Sequence, residues 1–220
     1  MTHHTELMKP IGLLGGTFDP VHHGHLRLAV ELYEQLQLAE VRLIPNVRPP
    51  HRPPPIANEQ LRLKMVHAAI AGMKGLSVDD REFHRQGPSY TVETLESLRL
   101  DYPTTPLCLI IGMDALINLP QWHQWQRLIE LAHLLVVQRL GVLPLGTVMR
   151  DFLQAHQVYQ WEQLMIQPAG RVFFVEEIPV LAISATQIRL LCKNNRNPRY
   201  LTPDAVLNII ETHQLYHSEP

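Results

Sequence analysis

Short apolar runs recur along this chain, each separated from the next by room for a helix or more. That spacing limits the fold more than any other feature. The runs lie at 11–14, 41–44, 76–80, 107–111, 134–137 and 172–175. After the first run, Leu26, Ala29, Val30, Tyr33 and Leu36 fall at helical intervals. Further helices are expected over 59–73 and over 89–100, the latter with Ser89 as N-cap. A helix between two short buried strands is a βαβ unit, whose crossover is right-handed. The alternation predicts an α/β, Rossmann-like, doubly wound fold. Its sheet is mainly parallel, with helices on both faces and a small C-terminal helical part at about 184–216. The 220 residues suit a single domain, with no internal repeat.

Composition narrows the class. Apolar residues make up 45% and charged residues 18%, which describes a globular chain. A formal net charge of -2 gives no bulk attraction for nucleic acid. The two cysteines, Cys108 and Cys192, sit in apolar contexts, which argues against a disulfide framework or a cysteine-rich zinc site. No apolar run reaches the roughly 18 residues of a membrane span. A cytoplasmic enzyme or binding protein is expected, with no membrane or nucleic-acid partner. Oligomeric state cannot be read from the sequence.

Ligands of such sheets bind beyond the C-terminal strand ends, where strand order reverses. Three segments fall at that edge: 15–25, 46–52 and 112–114. The first reads GGTFDPVHHGHL from Gly15 to Leu26. Gly15 and Gly16 let a phosphate approach backbone N–H groups, and the following helix N-terminus favours an anion. His22 and His25 are three apart and share a face, with Gly24 keeping it open. Neither GxxxxGK[ST] nor GxGxxG is present. A phosphate-binding turn, a metal site lacking its third ligand, and an ordinary loop with incidental histidines all fit this segment. The segment 46–58 contains five prolines and reads as a stiff surface loop carrying Arg48, His51 and Arg52.

A second helix start lies at ISATQIR. Ser184 is a good N-cap, Thr186 lies in the first turn, and Arg189 follows one turn on. Hydroxyls and a guanidinium there suit a phosphate chain, although a capped helix with a surface arginine fits as well. Two such helix starts together could grip both ends of a triphosphate. They would promote in-line displacement at phosphorus by positioning and charge stabilisation.

GGTFDPVHHGH resembles the opening motif of the nucleotidyltransferase superfamily, whose (H/T)xGH signature is met by His22, Gly24 and His25. ISATQIR resembles its ISSTxIR signature. IPNVRPPHR, GPSYTVETL, IIGMDAL, the Trp122 segment and LTPDAVLNIIETHQLY follow in the order found in bacterial nicotinate-nucleotide adenylyltransferases. The resemblance spans about 11–216. It implies adenylyl transfer from ATP to nicotinate mononucleotide in NAD biosynthesis, with Mg²⁺ held mainly through the ATP phosphates and no metal ligands in the chain. By matching position it implies catalytic roles for His22, His25 and Arg189. ATP would be bound by Gly15, Gly16, Thr17, Phe18, Arg52, Gly112, Asp114, Ser184 and Thr186. The nicotinate nucleotide would be bound by Tyr90, Thr91, Trp122 and His123. Ala185 stands where the family has a second Ser, and His123 where it commonly has Tyr.

Simpler roles compete for several of these residues. Trp122 and Trp125 could be core, Asp19-Pro20 could only shape a turn, and Asp114 could cap a helix. The rival functions are transfer to another acceptor, such as nicotinamide mononucleotide or phosphopantetheine, and non-catalytic nucleotide binding.

Overall fold

The structure is a computed structural model that describes residues 8–50, 53–137, 145–176, 178–179 and 181–217. Seven strands form one sheet: β1 (Ile11–Gly16), β2 (Glu40–Pro45), β3 (Leu76–Val78), β4 (Leu107–Gly112), β5 (His133–Val137), β6 (Gln157–Val158) and β7 (Val172–Val175). Their order is β3-β2-β1-β4-β5-β7-β6, and every pairing is parallel. β2 and β3 run outward from β1 in one direction, and β5 and β7 from β4 in the other, with the short β6 at the edge beyond β7. The switch point therefore lies between β1 and β4, as the doubly wound reading requires.

The helices are α1 (His23–Gln35), α2 (Glu59–Ile70), α3 (Thr91–Asp101), α4 (Met113–Asn118), α5 (Trp125–Leu131), α6 (Thr147–His156), α7 (Ala185–Lys193) and α8 (Asp204–Thr212). Side chains alternate across each strand, so a fully buried strand feeds two cores. In β4, Cys108 and Ile110 join one apolar cluster, while Leu107, Leu109 and Ile111 join the other. Buried residues of α1, α2, α7 and α8 complete the first cluster. Those of α3, α4, α5 and α6 complete the second. The C-terminal helical part is thus no appendage, because α8 packs on α2.

Sequence expectations need correction in three places. Ser89 is not the N-cap of α3; Tyr90 holds that position with no side-chain bond. The Ser89 hydroxyl accepts instead from the N–H groups of Val47 (3.0 Å) and Arg48 (2.9 Å), long-range donors that claim its lone pairs. The helix expected over 59–73 stops at Ile70, just before Gly72 turns left-handed at φ 78°. The strand expected over 76–80 ends at Val78, and the chain enters a 3-10 turn at Arg81–His84. The stretch 141–167 contains α6, the two-residue strand β6 and a 3-10 turn at Trp161–Leu164; residues 141–144 lie outside the described set.

At the start of β5, His133 is fully buried. Its Nδ1 accepts from the Arg171 N–H (3.1 Å), so the proton sits on Nε2, which donates to the Gln167 carbonyl (2.9 Å). Burial penalises the charged form and pushes the imidazole pKa down to about 4. The unfolded chain binds this proton near the ordinary value of about 6.5. Stability from His133 is therefore complete above that value and is lost as pH falls toward 4. His133→Gln keeps a donor and an acceptor but no titrating group. Urea unfolding of both proteins at roughly pH 7 and 4.5 should show the wild type losing about 2 kcal/mol more than the variant. Equal losses would mean the imidazole is not the source.

Candidate active site

β1 ends in Gly15-Gly16 and turns sharply at Phe18, which is left-handed (φ 48°) and buried. A Cβ on Gly16 would lie 2.9 Å from the Phe18 ring, so the turn admits only glycine there. Asp19 follows, joined to Pro20 by a cis peptide bond. Its buried carboxylate accepts from the N–H groups of Ile56 (2.9 Å) and Ala57 (3.1 Å) and from the Tyr216 hydroxyl (2.7 Å). Asp19 therefore does more than shape a turn: it ties together the first turn, the entry to α2 and the C-terminal segment. Burial, then the charge of Asp19 and its hydrogen bond, pushes the Tyr216 pKa up, so the phenol stays a donor.

His22 occupies the N-cap of α1 and His25 lies in its first turn. Their rings stack with centroids 3.6 Å apart and 21° between planes. The His22 N–H donates to His25 Nδ1 (3.3 Å), which assigns the imidazole proton to Nε2. Phe18 meets the His25 ring edge-on at 5.0 Å. Burial, and then the neighbouring His22, holds the His25 pKa well below its ordinary value. A Cβ on Gly24 would stand 2.9 Å from His22 Nδ1 and 3.4 Å from the Ile183 carbonyl. Gly24 thus makes room for the ring and for the second helix start together. His23, between the pair, gives its N–H to the Leu201 carbonyl (2.9 Å).

That second start is α7. Ser184 caps it, accepting from the Gln187 N–H (3.1 Å). Arg189 spans the gap to the first turn: Nη1 donates to the Asp19 carbonyl (2.7 Å) and Nη2 to Thr186 Oγ1 (3.1 Å). The two sequence signatures therefore meet. In this structure the Ser184 and Thr186 oxygens make local bonds within α7.

A cavity of about 500 Å³ opens at the switch point. Gly15, Gly16 and Thr17 line one part of it; Gly112 and Asp114 come from the end of β4 and the first turn of α4. Gly112, not Asp114, is the N-cap of α4. Tyr90, Thr91, Trp122 and His123 also line the cavity, with the Tyr90 and His123 rings 4.3 Å apart. Trp122 and Trp125 are both half-buried against the second apolar cluster; Trp122 also lines the cavity, and Trp125 meets Phe152 edge-on (5.4 Å). Phe18, His22, His25, Ser184, Thr186 and Arg189 form the adjoining cluster rather than the cavity wall. Arg52 and His51 lie outside the described residues.

Sequence reading missed Arg62, a buried member of α2. Its guanidinium donates to the carbonyls of Thr17 (2.7 Å), Asn46 (2.6 Å), Val47 (3.1 Å) and Ala57 (3.3 Å). The available signal was its place three and four residues before the buried Met65 and Val66, a charge on the apolar face. Glu82, buried in the cavity wall, was missed as well.

A cytidylyltransferase-like family profile matches residues 13–191. A "Probable nicotinate-nucleotide adenylyltransferase" of Methylococcus capsulatus is 47% identical over 208 residues, covering 94% of this chain and 99% of that one. A protein of the same description from Pseudomonas paraeruginosa is 50% identical, covering 96% and 98%. Among solved structures, the Plasmodium falciparum nicotinic acid mononucleotide adenylyltransferase complexed with NaAD superposes with a TM-score of 0.72. It covers 94% of this chain and 97% of its own at 15% identity, a likeness of fold. The chain belongs to the cytidylyltransferase-like family and, within it, to the nicotinate-nucleotide adenylyltransferases.

Proposed function

We propose that this protein transfers the adenylyl group of ATP to nicotinate mononucleotide, giving deamido-NAD and pyrophosphate for NAD synthesis. The observation that carries the reading is the meeting of the His22–His25 pair with Arg189 beside an aromatic-walled cavity. The acceptor's phosphate oxygen attacks the α-phosphorus in line, and pyrophosphate leaves. His25, neutral and with its proton on Nε2, donates to an α-phosphate oxygen as negative charge grows there. Arg189 is held in advance by Asp19 and Thr186, so its charge faces the departing pyrophosphate without reorganisation. Ser184 and Thr186 lie at the same helix start, where N–H groups favour anionic oxygen. Tyr90, Thr91, Trp122 and His123 enclose the pyridine ring, and the α3 N-terminus faces its carboxylate.

Among the described residues, no three His, Cys, Asp or Glu side chains gather to hold a metal. The donors present, imidazole, guanidinium and backbone N–H, suit phosphate oxygen. This fits Mg²⁺ carried on the nucleotide phosphates, where it supplies charge neutralisation. No helix among the described residues is long and apolar enough to cross a membrane.

The test supplies ATP, Mg²⁺ and each acceptor in turn, and follows pyrophosphate release. Turnover should be fastest with nicotinate mononucleotide; none with any mononucleotide would refute the reading. Replacing the transition-state donor in His25→Ala should cut kcat by roughly 10²–10³, and an unchanged kcat would make the histidine structural. A depressed pKa also keeps the imidazole neutral as pH drops through the ordinary value of about 6.5. NMR titration of the free enzyme should therefore leave the His25 ring resonances unmoved from about pH 8 to 6.5. A midpoint at the ordinary value would contradict the burial argument.

A further inference from the structure

Glu82 is a buried acidic residue that the mechanism above leaves without a task. It is 5% exposed, belongs to the 3-10 turn Arg81–His84, and lines the cavity. Both carboxylate oxygens act as acceptors: Oε1 from the Thr94 hydroxyl (2.8 Å), Oε2 from the Val47 N–H at a long 3.4 Å. An ionised carboxylate has about four lone-pair sites, so two such bonds leave acceptor capacity at the wall. Burying it is tolerable because Arg62 lies near enough for the two charges to interact.

The position of Glu82 along the cavity suggests its partner. Thr94, which donates to it, lies one turn along α3 from Tyr90 and Thr91, at the aromatic part of the wall. Val47, its other donor, follows Asn46, whose side-chain oxygen stands 3.8 Å from where a Gly15 Cβ would be. Glu82 thus sits between the pyridine enclosure and the glycine turn of the phosphate site. A mononucleotide presents ring, ribose and phosphate in that fixed order. Its ribose diol offers uncharged donors that a buried carboxylate accepts, and the neighbouring Arg62 offsets the carboxylate's charge toward the anionic groups at either end. We infer that Glu82 is a specificity-determining residue that binds the ribose hydroxyls of the acceptor mononucleotide. The inference rests on the acceptor reading proposed above.

Steady-state pyrophosphate release from nicotinate mononucleotide and from its 2′-deoxy and 3′-deoxy analogues separates the two readings. Wild-type turnover of the normal acceptor tests the proposed function; the comparison among acceptors tests Glu82. In the wild type, at least one deoxy acceptor should lose roughly tenfold to a hundredfold in kcat/KM, the worth of a hydrogen bond to a charged group. Glu82→Gln should lose a similar factor with the normal acceptor, raise its KM, and leave the KM for ATP unchanged. In that variant the deoxy penalty should shrink severalfold, because a neutral amide oxygen replaces the charged acceptor. Equal loss with all three acceptors would make Glu82 a merely structural support. A changed KM for ATP alone would move the carboxylate to the other nucleotide. Either result overturns the inference, as does a wild type indifferent to both deoxy acceptors, a measurement that needs no variant to fold.

Discussion

One buried guanidinium decides where the chain can turn at the C-terminal edge of the sheet. Arg62 binds carbonyls that follow β1 and β2 and one that precedes α2. The Thr17, Asn46 and Val47 carbonyls lie just past the C-terminal ends of β1 and β2. Desolvation lowers the Arg62 pKa, and the nearby Asp19, Glu59, Tyr216 and Glu82 oppose that shift. Each charge-assisted bond returns about 1.5–3 kcal/mol, against several kcal/mol for burying the ion. The net is small, so what the arginine contributes is geometry more than stability. Arg99 does the same at the opposite edge, gathering carbonyls of Leu131, Tyr102, Thr105 and Pro168 before β4, β5 and β7.

The candidate site inherits its rigidity from this frame. Arg62 fixes the Thr17 carbonyl, and Asp19, two residues on, fixes the entry to α2 and the C-terminal Tyr216. The Asp19 carbonyl then receives Arg189 from α7. Thr202 adds a bond from its buried hydroxyl to the Val21 carbonyl (2.7 Å). Each contact joins residues far apart in sequence, yet all converge on the seven residues between Gly16 and Gly24. Charge stabilisation by fixed donors works only if they need not move at the moment of reaction. A turn held from three directions meets that condition.

What the sequence disclosed follows from the range of the interactions involved. β1, β4 and α1 were legible because continuous apolar runs and a 3.6-residue period are local signals. The meeting of GGTFDPVHHGH with ISATQIR was legible because both lie at helix starts that the α/β pattern sends to one sheet edge. Ser89 misled for the opposite reason: its hydroxyl obeys Val47 and Arg48, more than forty residues away, rather than the helix beside it. Arg62 and Glu82 carry no motif at all, and Tyr216 closes LTPDAVLNIIETHQLY with nothing local to announce its bond to Asp19. Their roles arise only when distant loops close over them, and β6 is too short for any periodicity to show.

The two departures from the family pattern have structural answers of the same kind. Ala185 is the first residue of α7 and lacks a hydroxyl, but its backbone N–H remains among the unpaired donors of the helix start. Ser184 keeps the cap and Thr186 keeps Arg189 in place, so the substitution removes one oxygen without loosening the turn. His123 packs against Tyr90, joining the approach to α5 with the N-cap of α3. The aromatic wall is therefore shared between two elements. Its position depends on how α3 and α5 pack over β4 and β5, and an imidazole at 123 can complete it as long as that packing holds.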